Sequence, residues 1–173
     1  MDARTSTEIA FFGFGMTRQV IEVFELSLGK TTIADPLTHQ VALVRLINDD
    51  DARVLAALAR QAKTIIEIGT YTGASALVFL EAMPEDGRLI CVDTFELWRS
   101  PMEKGVPPST VFGCLLERLR NHLDRVTIIR GESVRTEPYI KDGIADLVFI
   151  DAAHDRAEVM ADIAAWLPKL KPG

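Results

Sequence analysis

The stretch Glu67-Ile68-Gly69-Thr70-Tyr71-Thr72-Gly73-Ala74-Ser75 gathers residue types suited to holding a small charged ligand. Gly69 and Gly73 let the chain turn tightly and approach a ligand closely, and a helix opening after them offers free N–H groups to an anion. Glu67 stands inside an apolar run, where a carboxylate needs a compensating partner or ligand, and a cationic group would serve. Asp93 follows Gly69 by 24 residues and closes the next apolar run, a place where an acid accepts hydrogen bonds from ribose hydroxyls. A ligand with a ribose, a carboxylate and an ammonium fits all three features. The spacing G-x-x-x-G lacks the third glycine of a dinucleotide fingerprint, which weakens a pyrophosphate reading.

Asp151 and His154 close a later apolar run. His is the side chain most readily tuned near neutral pH, so His154 could act as a general base beside a bound ligand. A plainer reading has Asp151 capping the next helix and His154 solvated in its first turn. Ser75 and Ser133 likewise read either as ligand contacts or as residues of a first helical turn.

The elements that must position these residues follow from pattern. Short runs rich in β-branched residues at Thr64–Ile68, Arg88–Val92, Val126–Ile129 and Ala145–Ile150 read as strands buried on both faces. Helix-length segments near 74–83, 110–123, 133–141 and 155–167 alternate with them. This predicts a Rossmann-like, doubly wound parallel α/β sheet with ligands at the strand carboxyl ends. Residues 1–62 are expected to form an N-terminal arm and helices on the core, including one over Pro36–Ile47 and one from about Asp51 to Gln61, and 63–173 the ligand-binding domain. Phe11, Phe12 and Phe14 mark the arm as a segment that packs on something.

Leu170-Lys171-Pro172-Gly173 ends a helix and would normally lead into another strand. The fold is therefore expected to be truncated after its fourth strand and the following helix. Left uncovered, the apolar fourth strand would be an aggregation hazard, so another chain or the arm could cover it, giving a homo-oligomer in the first case. The segment from Trp98 to Pro108 reads either as a surface loop or as a wall of an acceptor pocket.

The whole-chain figures bound the answer. With 173 residues, 48% of them hydrophobic, the chain can build a core of its own, which excludes a disordered protein. A formal charge of −6 argues against nucleic acid as a partner and for a small molecule. Two cysteines in apolar runs, no run long enough to span a membrane and no leader pattern give the expectation of a cytoplasmic protein.

Taken together, Glu67 to Ser75, Val92-Asp93 and Phe149-Ile150-Asp151-Ala152-Ala153-His154 resemble the class I S-adenosylmethionine-dependent methyltransferases. Within them the chain is similar to the small-molecule O-methyltransferases of the catechol and caffeoyl-CoA type and to the macrolide-sugar group. The likeness runs from Thr64 to Gly173. It implies that Glu67, Gly69 and Tyr71 line the methionine end of S-adenosylmethionine, with Gly73 in the loop and Ser75 holding the carboxylate. It also implies that Asp93 binds the ribose and Ser133 the adenine. Asp151 falls where metal-dependent members place a first Mg²⁺ ligand, and His154 where they place the group that deprotonates the acceptor hydroxyl. The expected activity is methyl transfer to a hydroxyl of a small molecule. A non-catalytic cofactor-binding module and an NAD(P)-dependent oxidoreductase are the alternatives.

Overall fold

The computed structural model describes residues 22–24, 47–96, 108–152 and 155–172. The Phe-rich arm, the helix expected at 36–47 apart from Ile47, residues 98–107 of the insertion, and His154 lie outside the described residues.

Among the described residues five strands build one sheet: β1 (Glu22–Phe24), β2 (Thr64–Ile68), β3 (Arg88–Asp93), β4 (Val126–Arg130) and β5 (Leu147–Ile150), in the order β1-β4-β3-β2-β5. β2 to β5 run parallel, with Glu67 opposite Cys91 on one side and Phe149 on the other. β1 is antiparallel to β4, Val23 facing Ile129. No strand is legible that early in the sequence, because three residues are too few to show a period. The segment nevertheless supplies hydrogen-bond partners to the free edge of β4. The described part of the arm thus covers the β4 edge rather than the β5 edge. Beside β5, Leu170 forms a parallel bridge with Ala145, so the chain returns alongside that strand after the last helix.

The helices are α1 (Asp49–Ala59), α2 (Ala74–Ala82), α3 (Pro108–Leu119), α4 (Ser133–Thr136) and α5 (Arg156–Trp166). Asn48 caps α1 by accepting from Asp51 N at 2.8 Å. The helix expected over 133–141 shrinks to a single turn followed by a 3₁₀ turn at Glu137–Tyr139, since Pro138 removes a donor from the α-helical ladder. None of the helices among the described residues is long and apolar enough to cross a membrane.

Alternation along the strands fills both faces of the sheet. Ile65, Leu89, Cys91 and Ile128 join Leu55, Phe79, Leu115 and Leu119 of α1, α2 and α3 on one face. Ile66, Ile68, Val92 and Ile129 pack with Trp166 of α5 on the other. By the same alternation Glu67 points to the α2 side, into an otherwise apolar layer.

At the amino ends of the strands, Asp146 ties β2 to β5. Its Oδ2 accepts from Lys63 N at 2.9 Å and Thr64 N at 2.8 Å, and its Oδ1 from Lys171 Nζ at 2.6 Å. The hydrogen bond from Lys171 holds this carboxyl below its usual range, with the two backbone N–H groups acting in the same direction. We expect Asp146→Ala to lower stability by about 1–3 kcal/mol at neutral pH, because two backbone donors lose their acceptor. A carboxyl with a depressed folded pKa stabilises above its unfolded value of about 3.9, and the benefit goes as pH falls through the lower folded value. The difference in urea midpoint between wild type and variant should therefore be largest near about pH 7 and narrow as pH falls through that lower folded value.

Candidate functional site

Strand order reverses between β2 and β5, so the carboxyl ends of β2, β3 and β5 surround the crevice where an open parallel sheet takes ligands. Three backbone hydrogen bonds extend the ladder into the loops there: Gly69 N to Val92 O at 2.9 Å, Asp151 N to Ile68 O at 2.8 Å and Gly131 N to Asp93 O at 2.9 Å. Gly69 has φ +89°, and a Cβ added to it would lie 2.4 Å from Asp151 O and 2.6 Å from Ala152 N. Only glycine permits both that backbone conformation and that approach of the β2 and β5 loops. Gly73, at φ +80°, donates to Thr70 O at 2.8 Å to close the turn and then accepts from Leu77 N at 3.0 Å to open α2. No side chain caps α2, and no acid occupies its first turn.

Beneath this loop Glu67 is fully buried. The Ser75 hydroxyl donates to its Oε1, while Oε2 has no hydrogen-bond partner. Burial pushes the Glu67 carboxyl up to about 7; the Ser75 hydrogen bond and the nearby Thr70 hydroxyl pull the other way, and the charges of Asp93 and Asp151 add to the rise. The buried Thr70 Oγ1 beside it is also without a hydrogen-bond partner. An orphaned carboxylate oxygen at the foot of a glycine turn, under an uncapped helix, suits a ligand with an ammonium and a carboxylate side by side.

Asp93 ends β3 with both carboxylate oxygens engaged: Oδ2 accepts from Tyr71 N at 2.7 Å and Oδ1 from Phe95 N at 2.6 Å. Burial raises its carboxyl above the usual range, against the pull of those two N–H donors. Tyr71 and Phe95 are themselves left-handed, at φ +49° and +54°. Such backbone costs a non-glycine residue about 1–3 kcal/mol and persists where its surroundings over-determine it.

Glu67, Gly69, Tyr71, Gly73, Ser75 and Asp93 thus meet at the ends of β2 and β3. Ser133 stands apart in its partners. Its hydroxyl donates to buried Asp162 at 2.5 Å and accepts from Trp166 Nε1 at 2.7 Å, which commits the side chain to docking α4 on α5. Asp151 is exposed at the end of β5. It does not cap α5; Asp155 does, accepting from Ala157 N at 2.8 Å. No group of three or more His, Cys, Asp or Glu side chains able to hold a metal ion occurs among the described residues. Asp151 alone does not fit a Mg²⁺ site, which requires near-octahedral oxygen ligation.

Two site features escaped the sequence. Thr70 and Thr72 are buried within the glycine loop, and Arg118 of α3, half-buried, donates to Thr72 Oγ1 at 3.3 Å. The threonines could have been found as polar residues in a turn that must bury itself. Nothing local marks Arg118, which lies 46 positions from its partner.

The sheet and its glycine loop define a Rossmann-like α/β domain with a candidate ligand site at the strand carboxyl ends. Residues 66–173, more than half of the chain, match the family model described as "Methyltransferase domain", and the chain belongs to that family. Residues 27–100 match a second model described as "O-methyltransferase", which carries the likeness further toward the amino terminus than Thr64. "Probable caffeoyl-CoA O-methyltransferase 3" of Dictyostelium discoideum is 28% identical over 109 residues, covering 61% of this chain and 39% of that protein. "O-methyltransferase hkm8" of Aspergillus hancockii is 35% identical over 103 residues, covering 59% of this chain and 36% of that protein. The chain therefore spans well under half the length of these two curated relatives. Among solved structures, the O-methyltransferase TomG of Streptomyces achromogenes, in complex with SAM, superimposes with a TM-score of 0.61 at 23% identity. The match covers 80% of this chain and 62% of TomG and shows a shared fold.

Proposed function

We propose that this domain binds S-adenosylmethionine across the carboxyl ends of β2 and β3 and directs its methyl group to a hydroxyl of a small-molecule acceptor. The observation that carries the reading is Glu67, a fully buried carboxylate with one oxygen unpartnered, directly under the glycine turn that starts α2. Family membership and the O-methyltransferase names of the relatives support it.

Glu67 faces the ammonium of the methionine moiety, and the N–H groups at the start of α2 face its carboxylate. Ser75 reaches that carboxylate only by releasing Glu67, to which its proton is given in the ligand-free protein. Asp93 accepts from the ribose hydroxyls through lone pairs left over by Tyr71 and Phe95. The bound cofactor supplies an electrophilic methyl on a sulfonium. The chain's share is to hold donor and acceptor in line, which can provide about 7–11 kcal/mol of barrier lowering. His154 is assigned the acceptor's proton, a general-base contribution of about 10²- to 10⁴-fold. No step is assigned to a metal ion.

Isothermal titration of the chain with S-adenosylmethionine, S-adenosylhomocysteine and NAD⁺ tests the reading. We expect micromolar binding of the first two and much weaker binding of NAD⁺, followed by methyl transfer to hydroxylated acceptors that His154→Ala slows. Binding without transfer to any acceptor would favour a cofactor-binding module. A folded chain that binds neither methionine-derived ligand would end the proposal.

A further inference from the structure

Tyr71 and Phe95 are the only non-glycine residues among those described whose φ is positive, and they lie in different loops, one after β2 and one after β3. The backbone N–H groups of both are held by the same side chain, Asp93, at 2.7 and 2.6 Å. Left-handed backbone is disfavoured for a bulky L-residue, so each needs something to hold it there. Phe95 has a second anchor in its fully buried ring, packed edge-on against Phe112 with centroids 5.1 Å apart. Tyr71 is half-buried and packs against the core cluster that includes Phe95, and the turn's own closing bond, Gly73 N to Thr70 O, bypasses its N–H. Its N–H points across to β3 instead.

We propose that Asp93 is the positioning residue of the glycine loop. One carboxylate clamps the loop after β2 to the loop after β3, fixes Tyr71 in its left-handed conformation, and so sets the course of the backbone from Gly69 to Gly73 and the start of α2. What the loop then binds rests on the proposed function; the clamp itself does not. A consequence separates this role from ribose binding. Replacing Asp93 with Asn keeps a side chain able to hydrogen-bond a ribose but removes one of the two acceptors that the backbone N–H groups require. Loss of ligand affinity would then come from a disordered loop, and a residue at 71 that adopts left-handed backbone unaided would restore it.

The first test needs no ligand. In amide proton–nitrogen NMR spectra of the full chain recorded from about pH 3 to pH 8, the amide protons of Tyr71 and Phe95 should move with one common midpoint, that of Asp93. Glu67, the neighbouring acid that acts on the same site, is controlled by repeating the titration in Glu67→Gln. Different midpoints for the two amides, or no movement of either, would overturn the clamp. The second test is a double-mutant cycle read by S-adenosylhomocysteine titration. Asp93→Asn should weaken binding about tenfold or more with Tyr at 71, and no more than about threefold in the Tyr71→Gly background. An equal loss in both backgrounds would show Asp93 acting on the ligand alone. If the wild-type chain does not bind S-adenosylhomocysteine, the proposed function fails while the amide titration still decides the clamp.

Discussion

Gly69→Ala should cost about 2–5 kcal/mol of stability and remove measurable binding of S-adenosylhomocysteine. Two penalties combine at this position. An alanine at φ +89° carries the left-handed penalty of roughly 1–2 kcal/mol. Its Cβ, 2.4 Å from Asp151 O and 2.6 Å from Ala152 Cα, also meets backbone rather than a side chain that could rotate away. Relief requires moving the loop after β5 off the loop after β2, and overpacking of that kind costs about 1–3 kcal/mol more. Gly73→Ala is the natural comparison. It shares the positive φ, but its added Cβ would meet Leu115 Cδ1, the end of a flexible side chain. It should lose only the conformational part. Urea unfolding of the two variants, with titration of the ligand into whichever stays folded, measures the difference. Equal losses would mean that contact with the β5 loop contributes nothing to the site.

The contrast also shows what a sequence can and cannot display. That Gly69 and Gly73 permit a turn is legible from their type and spacing. That one is confined by backbone and the other by a leucine depends on where β5 and α3 come to rest. The strands β2 to β5 were readable nearly to the residue, because each packs on both faces of the sheet and so appears as a short, apolar-dominated run between polar ends. β1 was not, because its pairing partner is 106 positions away, Val23 against Ile129, and its three residues carry no period of their own.

Among site residues the same division holds. Glu67 announces itself as a charge in an apolar strand. Asp93 announces only that an acid ends a strand; its grip on Tyr71 and Phe95 is a tertiary fact. The partners of Ser133 are likewise a tertiary fact. Its position beyond β4 suggests a ligand contact, yet Asp162 and the Trp166 indole, 29 and 33 positions later, occupy its hydroxyl. Asp151 reads as a helix cap four residues too early, since it is Asp155 that caps α5.

Glu67→Gln should stabilise the ligand-free protein at pH 8 and weaken its binding of a cationic ligand at the same pH. The sign follows from the proton. Burial lifts the Glu67 carboxyl from 4.5 to about 7, so the folded state holds this proton more tightly than the unfolded chain does. Stability therefore falls as pH rises from about 4.5 to about 7 and is level above that, the total being on the order of 3 kcal/mol. The glutamine variant, with no proton to lose at this position, carries no such slope. Asp93, whose carboxyl is also raised by burial, contributes a slope of the same sign in both proteins. Urea unfolding of wild type and variant at about pH 5, 6, 7 and 8 should thus give curves that separate steadily up to about pH 7. Ligand binding runs the other way. A cation placed against Oε2 favours the charged carboxylate, so binding expels a proton below about pH 7. The affinity of wild type for S-adenosylmethionine should then rise by up to about tenfold per pH unit on the acid side, while that of Glu67→Gln stays flat. Calorimetry in buffers of different ionisation enthalpy reads the expelled proton directly. Parallel stability curves would mean that Glu67 remains charged throughout, whereas a pH slope in stability with no proton release on binding would mean that Glu67 meets no cation. The ammonium would then have to be held elsewhere in the crevice.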